Sequence, residues 1–140
     1  MSVKIEGVEE IVERLEELSN TEQVEKTVED CCQILVRSAV QNAKKGRTGD
    51  LRRSIKYEVD SNSEGIKGIV FTPLFYAPYV EYGTGLFAEN GGRQDVPWCY
   101  QDDKGEWHST SGMKPQPFMR PALNDNRERI LKLLREAIKL

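Results

Sequence analysis

Residues 75–85 read Phe-Tyr-Ala-Pro-Tyr-Val-Glu-Tyr-Gly-Thr-Gly, and this segment constrains the fold more than any other part of the chain. Four aromatics, Phe75, Tyr76, Tyr79 and Tyr82, surround one acid, Glu81. Together they can supply a large buried apolar area. Pro78 suits the first turn of a helix, while Gly83 and Gly85 permit a sharp change of backbone direction. The spacing predicts a short helix capped by Gly83, with a strand as the other possibility. It also predicts a packing hub in which Tyr76, Tyr79 and Tyr82 are largely buried. Glu81 is then held by a cation or by backbone N–H groups, a structural reading favoured over that of a buried catalytic carboxylate.

The flanking segments carry clear periodicities. Val8, Ile11, Val12, Leu15 and Leu18 recur at helical spacing with glutamates between them, which predicts an amphipathic helix. Ser19-Asn20-Thr21 breaks it and offers a cap for a second helix. Val24, Val28, Cys31, Cys32, Leu35, Ala39 and Ala43 line one face of that second helix, and Gly46 is its natural stop. Both cysteines are therefore small core residues. Thr48 or Asp50 begins a short helical turn. Ile55, Tyr57 and Val59 alternate with polar residues, residues 60–65 have turn composition, and Pro73 closes the returning run, so residues 55–72 predict a β-hairpin. Residues 96–100 and 106–109 flank Asp102-Asp103-Lys104-Gly105 and predict a second hairpin. Pro121 fits the first turn of a final helix whose inner face holds Leu123, Arg127, Ile130, Leu131, Leu134, Ala137 and Ile138.

This order predicts an α+β fold: one mainly antiparallel sheet packed against N-terminal helices and a C-terminal helix, with a protruding aromatic hairpin. At 140 residues the simplest organisation is a single domain spanning 1–140. No apolar run approaches the roughly 20 residues that cross a bilayer. The first residues lack a basic-then-apolar leader pattern, so a cytoplasm is the expected site of synthesis, with all three cysteines reduced.

Charge is unevenly spread. Residues 1–30 hold ten acids and three bases, a balance of −7, whereas residues 31–58 hold seven bases and two acids, a balance of +5. Opposite ends of such a chain can meet within one subunit or between neighbours. The basic cluster of Lys44, Lys45, Arg47, Arg52 and Arg53 can instead contact phosphates, with strong salt dependence. No helix-turn-helix, finger or RNA-binding signature accompanies it. A third reading is a solvated helix end, where cations favour the C-terminus.

Reactive constellations are sparse. His108 is the one histidine. Cys99 can face it across the second hairpin, but two ligands do not make a zinc site, and a Cys99–His108 nucleophile pair lacks an orienting partner. Asp102 and Asp103 read as turn residues. The glycines form no phosphate loop, since no Gly-Lys-Ser/Thr follows them. The expectation is therefore no catalytic residue, no cofactor and no metal.

Three separated motifs then converge. They are Thr48-Gly49-Asp50-Leu51-Arg52-Arg53-Ser54-Ile55, Tyr76-Ala77-Pro78-Tyr79-Val80-Glu81-Tyr82-Gly83-Thr84 and Pro117-Phe118-Met119-Arg120-Pro121-Ala122-Leu123. Their order and spacing resemble a family of small tailed-bacteriophage and prophage proteins of the head–tail junction, called tail-completion or neck components. The aromatic hairpin around Trp98 and Trp107 is similar to one in members from phages of Gram-positive hosts. The resemblance implies a non-enzymatic virion protein that joins head and tail during assembly. Its implied partners are copies of itself in a ring, the head-connector protein, and the tail-terminator or tail-tube proteins, with no membrane and no nucleic-acid partner. It implies that Thr48, Gly49, Leu51, Tyr76, Tyr79, Glu81, Tyr82, Gly83, Thr84, Pro117, Phe118 and Pro121 are structural motif residues. Trp98 and Trp107, as exposed-looking aromatics, and Arg52 and Arg53, from the basic cluster, are the candidate assembly interface. Two other readings stay open: a nucleic-acid-binding protein using residues 44–53, and a small hydrolase built on Glu81 or on Cys99 and His108.

Overall fold

The computed structural model describes residues 2–4, 21–44, 49–89 and 91–138. The predicted helix over Val8–Leu18, the Gly46 stop and Thr48 lie outside the described residues. The class is α+β, with helices and two small antiparallel sheets. The chain forms two compact units, one made of residues before Leu74 and after Pro117, the other of Leu74–Pro117.

The first unit is built around α1 (Thr21–Asn42), which buries Val24, Thr27, Val28, Cys31, Cys32, Leu35 and Ala39. These positions recur at three- and four-residue steps, so one stripe faces inward as the sequence pattern requires. Thr27 is tolerated in that stripe because its hydroxyl donates to the Gln23 carbonyl at 2.9 Å. A glycine, Gly49, with φ of 72°, leads into α2 (Asp50–Ser54). The turn begins at Asp50, one of the two starts that the sequence allowed. The left-handed backbone suits glycine, no side chain caps the turn, and the Asp50 carboxylate pairs with Arg53 instead.

The predicted hairpin is present as β2 (Lys56–Asn62) and β3 (Gly65–Phe71), paired antiparallel from Lys56↔Phe71 to Asn62↔Gly65. Its turn is fastened by the Glu64 N–H donating to Asn62 Oδ1 at 2.8 Å. A further strand, β1 (Ser2–Lys4), pairs antiparallel with β3 on its other edge, giving the order β1-β3-β2. Helix α1 packs on β2 and β3, and Tyr57 reaches across so that its hydroxyl donates to Glu29 Oε1 at 3.0 Å.

The C-terminal helix closes this unit against α1. This helix, α4 (Met119–Ile138), has Pro121 in its first turn as the sequence predicts, and it buries Met119, Ala122, Ile130 and Leu134. Arg127, predicted on its inner face, is exposed. The stripe passes instead through Asn126, whose amide donates to the Ala122 carbonyl at 2.8 Å.

Burial of the two adjacent cysteines has a chemical consequence. Burial first, and then the Asp30 charge, pushes the Cys31 thiol up to about 11; burial first, and then Cys31, pushes Cys32 up to about 12. Thiolate is the reactive form, so neither thiol is available near neutral pH. Cys99 is exposed. A thiol-specific reagent at pH 8 should therefore modify Cys99 alone in the native protein and reach Cys31 and Cys32 only after denaturation. Rapid native labelling of Cys31 or Cys32, read by peptide mass spectrometry, would contradict this packing.

The second unit holds α3 (Ala77–Tyr82), a 3₁₀ turn at Gly85–Phe87, and a two-stranded antiparallel sheet of β4 (Trp98–Gln101) and β5 (Trp107–Thr110). Pro78 lies in the first turn of α3, and Gly83 caps it with φ of 83° and its N–H on the Tyr79 carbonyl at 2.9 Å. Both features follow the sequence reading.

Candidate functional site

The aromatic segment is a junction for the chain rather than a buried cluster. Helix α3 has one and a half turns, and the face it buries is set by Ala77 and Glu81, four residues apart and both 0% exposed. Tyr79 stands off that face and is 54% exposed, which corrects its assignment to the core. Tyr76 and Tyr82 are half-buried. So short a helix has one inner face, and a small residue with a carboxylate occupies it, leaving the rings at its margins. The carboxylate of Glu81 is hydrogen-bonded, since among the described residues no buried side-chain oxygen or nitrogen lacks a partner. That is the condition for burying such a group.

Beyond α3, Gly83-Thr84-Gly85 lies against Ser111-Gly112-Met113. The Thr84 N–H donates to the Met113 carbonyl at 2.9 Å, the Met113 N–H returns to Thr84 Oγ1 at 2.8 Å, and the Leu86 N–H donates to the Ser111 carbonyl at 3.0 Å. A Cβ on Gly85 would stand 2.2 Å from the Ser111 carbonyl oxygen, and one on Gly112 2.1 Å from that of Thr84. Two backbones cross with no room for a side chain on either. This crossing ties the two ends of the segment that carries β4 and β5.

The β4–β5 hairpin has both tryptophans, at opposite ends and on opposite faces. Register pairs Trp98 with Thr110, Cys99 with Ser109, Tyr100 with His108 and Gln101 with Trp107. Because successive side chains alternate, Trp98, Tyr100 and His108 share one face, and Cys99 and Trp107 share the other. Cys99 and His108 therefore do not form the pair the sequence allowed. His108 stacks on Tyr100 with ring centroids 5.3 Å apart, and its Nε2 lies 2.7 Å from Asp102 Oδ2. Asp102 Oδ1 also accepts the Lys104 and Glu106 N–H groups at 2.9 and 2.8 Å. The His108 hydrogen bond first, and then the one from Glu106, holds the Asp102 carboxyl below the usual carboxylate range.

Asp102, Glu106 and His108 each bring one ligand atom within 4.8 Å of the others. Two carboxylates and an imidazole can take a divalent transition ion. Here, however, Asp102 already serves as the fastening point of the turn, so an ion would have to displace that bonding.

Exposure singles out this unit. Phe75, Tyr79, Leu86, Phe87, Tyr100, Trp107 and Met113 are the exposed large hydrophobic side chains among the described residues, and all lie in Leu74–Pro117. Trp107 is 70% exposed. Trp98 is half-buried beneath the Arg93 guanidinium, 5.1 Å from its ring centroid, a cation–π arrangement. The other unit buries or half-buries all its described large apolar side chains.

The basic cluster is partly engaged in structure. Arg52 Nε donates to the Ala43 carbonyl at 2.6 Å, satisfying a carbonyl at the end of α1 and complementing the negative pole of the helix. Arg53 pairs with Asp50 at the surface. Of the remaining motif residues, Gly49, Leu51, Gly83 and Phe118 are buried, Thr84 and Pro121 are half-buried, and Pro117 is exposed. No helix among the described residues is long and apolar enough to cross a membrane.

No curated protein and no solved structure matches the chain. Residues 9–83, more than half of the chain, match the family described as "Bacteriophage HK97-gp10, putative tail-component". The match takes in the Thr48–Ile55 motif and the aromatic segment as far as Gly83, and ends before the β4–β5 hairpin. By this match the chain belongs to the HK97-gp10-like family of bacteriophage proteins.

Proposed function

We propose that this protein is a tail-completion or neck component, acting where the head of a phage or prophage particle is joined to its tail. The family's description as a tail component fits a structural role in the virion. The observation that carries the finer reading is that, among the described residues, the exposed large aromatic and aliphatic side chains all lie in Leu74–Pro117. Large exposed apolar areas mark interaction surfaces, and a two-stranded sheet is marginal without something to lean on. The unit docks on other components of the junction: further copies of this chain, the head connector, or the tail terminator or tube. The protein is made in the host cytoplasm and ends in the virion.

The competing readings have weaker support. A nucleic-acid site on the basic cluster has two of its arginines already hydrogen-bonded within the chain, Arg52 to Ala43 and Arg53 to Asp50. A hydrolase on Cys99 and His108 meets the opposite orientation of those side chains, and one on Glu81 meets a fully buried carboxylate. Electron microscopy of lysates from a phage lacking this gene tests the proposal. Filled heads and separate, complete tails are expected. Joined, infectious particles in normal yield would overturn it.

A further inference from the structure

The unit bearing the aromatic surface also carries the chain's net charge. Leu74–Pro117 contains six acids and three bases, a balance of −3, while the rest of the chain has seventeen of each. At the β4–β5 turn, Asp102, Asp103 and Glu106 stand against Lys104, and Asp103 and Glu106 are exposed beside the exposed Trp107. A surface that is both aromatic and acidic repels phosphate and favours arginine and lysine. Within the same unit Trp98 already holds a guanidinium over its ring.

The chain presents a surface of that kind elsewhere. From Gln33 to Arg53 there are six cations and one acid, Asp50. Arg37 and Gln41 lie four residues apart on one face at the C-terminal end of α1, Lys44 follows two residues after that helix ends at Asn42, and all three are exposed. The Arg52 bond to Ala43 brings α2 to this same end, and with it the exposed Arg53. Asp50 is partnered by Arg53. The result is a basic corner with its acid already engaged.

We propose that the acidic aromatic hairpin of one copy docks on the basic corner of a second copy. Each chain offers one surface of each kind, which is the requirement for head-to-tail association. This inference rests on the reading of Leu74–Pro117 as an assembly surface and adds to it the identity of the opposing face.

Sedimentation of the full chain at low and high salt tests it. The wild type should self-associate and do so less at high salt. Asp103→Lys with Glu106→Lys should weaken association by at least about tenfold, as should Arg37→Glu with Arg53→Glu. Both sets combined in one chain should restore it, because the charges are exchanged rather than removed. Thermal melts establish that each variant is folded. Where a double variant melts early, Glu106→Lys and Arg37→Glu singly make the same comparison.

A monomeric wild type, a reversal without effect, or a combined variant that stays dissociated would each overturn the assignment. So would salt-sensitive binding of duplex DNA that is lost in the Arg37→Glu, Arg53→Glu chain while self-association persists. If the reversals leave self-association unchanged but phage lacking the protein still fail to join heads to tails, the head–tail reading stands and this docking falls.

Discussion

Phe118→Ala is expected to destabilise the protein by about 3–5 kcal/mol, the cost of removing a large aromatic side chain from a core. Phe118 is 0% exposed and heads the largest fully buried side chains among the described residues. Its carbonyl accepts the Asn42 amide at 3.3 Å, so the residue links the end of α1 to the start of α4. Total stabilities of about 5–15 kcal/mol are usual, so this one change would leave a loosened or insoluble chain. Phe118→Leu should lose much less. Tyr79→Ala should fall within the small range of surface substitutions, about ±0.5 kcal/mol. Denaturant unfolding of the three variants checks the order. A Phe118→Ala protein as stable as wild type, or a Tyr79→Ala protein that unfolds first, would show that the core has been placed on the wrong motif.

That pair of aromatics shows how far the sequence could be read. Phe118 reads from the sequence only as a structural motif residue and proves fully buried. Burial is the expectation for Tyr79. It fails because the inner face of a six-residue helix is decided by spacing, and the Ala77 and Glu81 pair takes it. Strong local signals were legible: the repeating stripe of α1, the two hairpins with their turn residues, Pro78 opening α3 and Gly83 closing it. Contacts between distant segments were not. Ser2–Lys4 is too short for alternation to announce a strand, and its partner is the distant run Ile69–Phe71. The Gly85–Gly112 crossing joins glycines that each look like an ordinary loop residue. At the site, the concentration of exposed apolar side chains in one unit depends on which residues the fold covers, and no window of sequence records that. One signal was readable: an acid just before the turn, Asp102, with a histidine near the start of the returning strand.

Trp107→Ala is expected to leave a folded, soluble protein and to abolish particle joining. The side chain is 70% exposed, opposite Gln101 and on the face of the hairpin shared with Cys99, so its removal should cost little stability. Tryptophans at the centre of an interface commonly contribute about 2 kcal/mol or more when truncated. In an assembly of repeated contacts that loss recurs at every subunit, so a modest effect per contact becomes a large one per particle. Trp98→Ala is a different experiment, because Trp98 is half-buried beneath Arg93 and its loss should also cost stability. Labelling of Cys99 follows docking directly, since Cys99 lies on the Trp107 face and should be protected in assembled particles of the wild type. The Trp107→Ala phage should yield filled heads and free tails, with a melting temperature for the purified protein close to that of wild type. Infectious particles in normal number from this variant, with Cys99 still protected, would place the docking surface on other residues of Leu74–Pro117. Infectious particles with Cys99 freely labelled would remove the hairpin from assembly altogether.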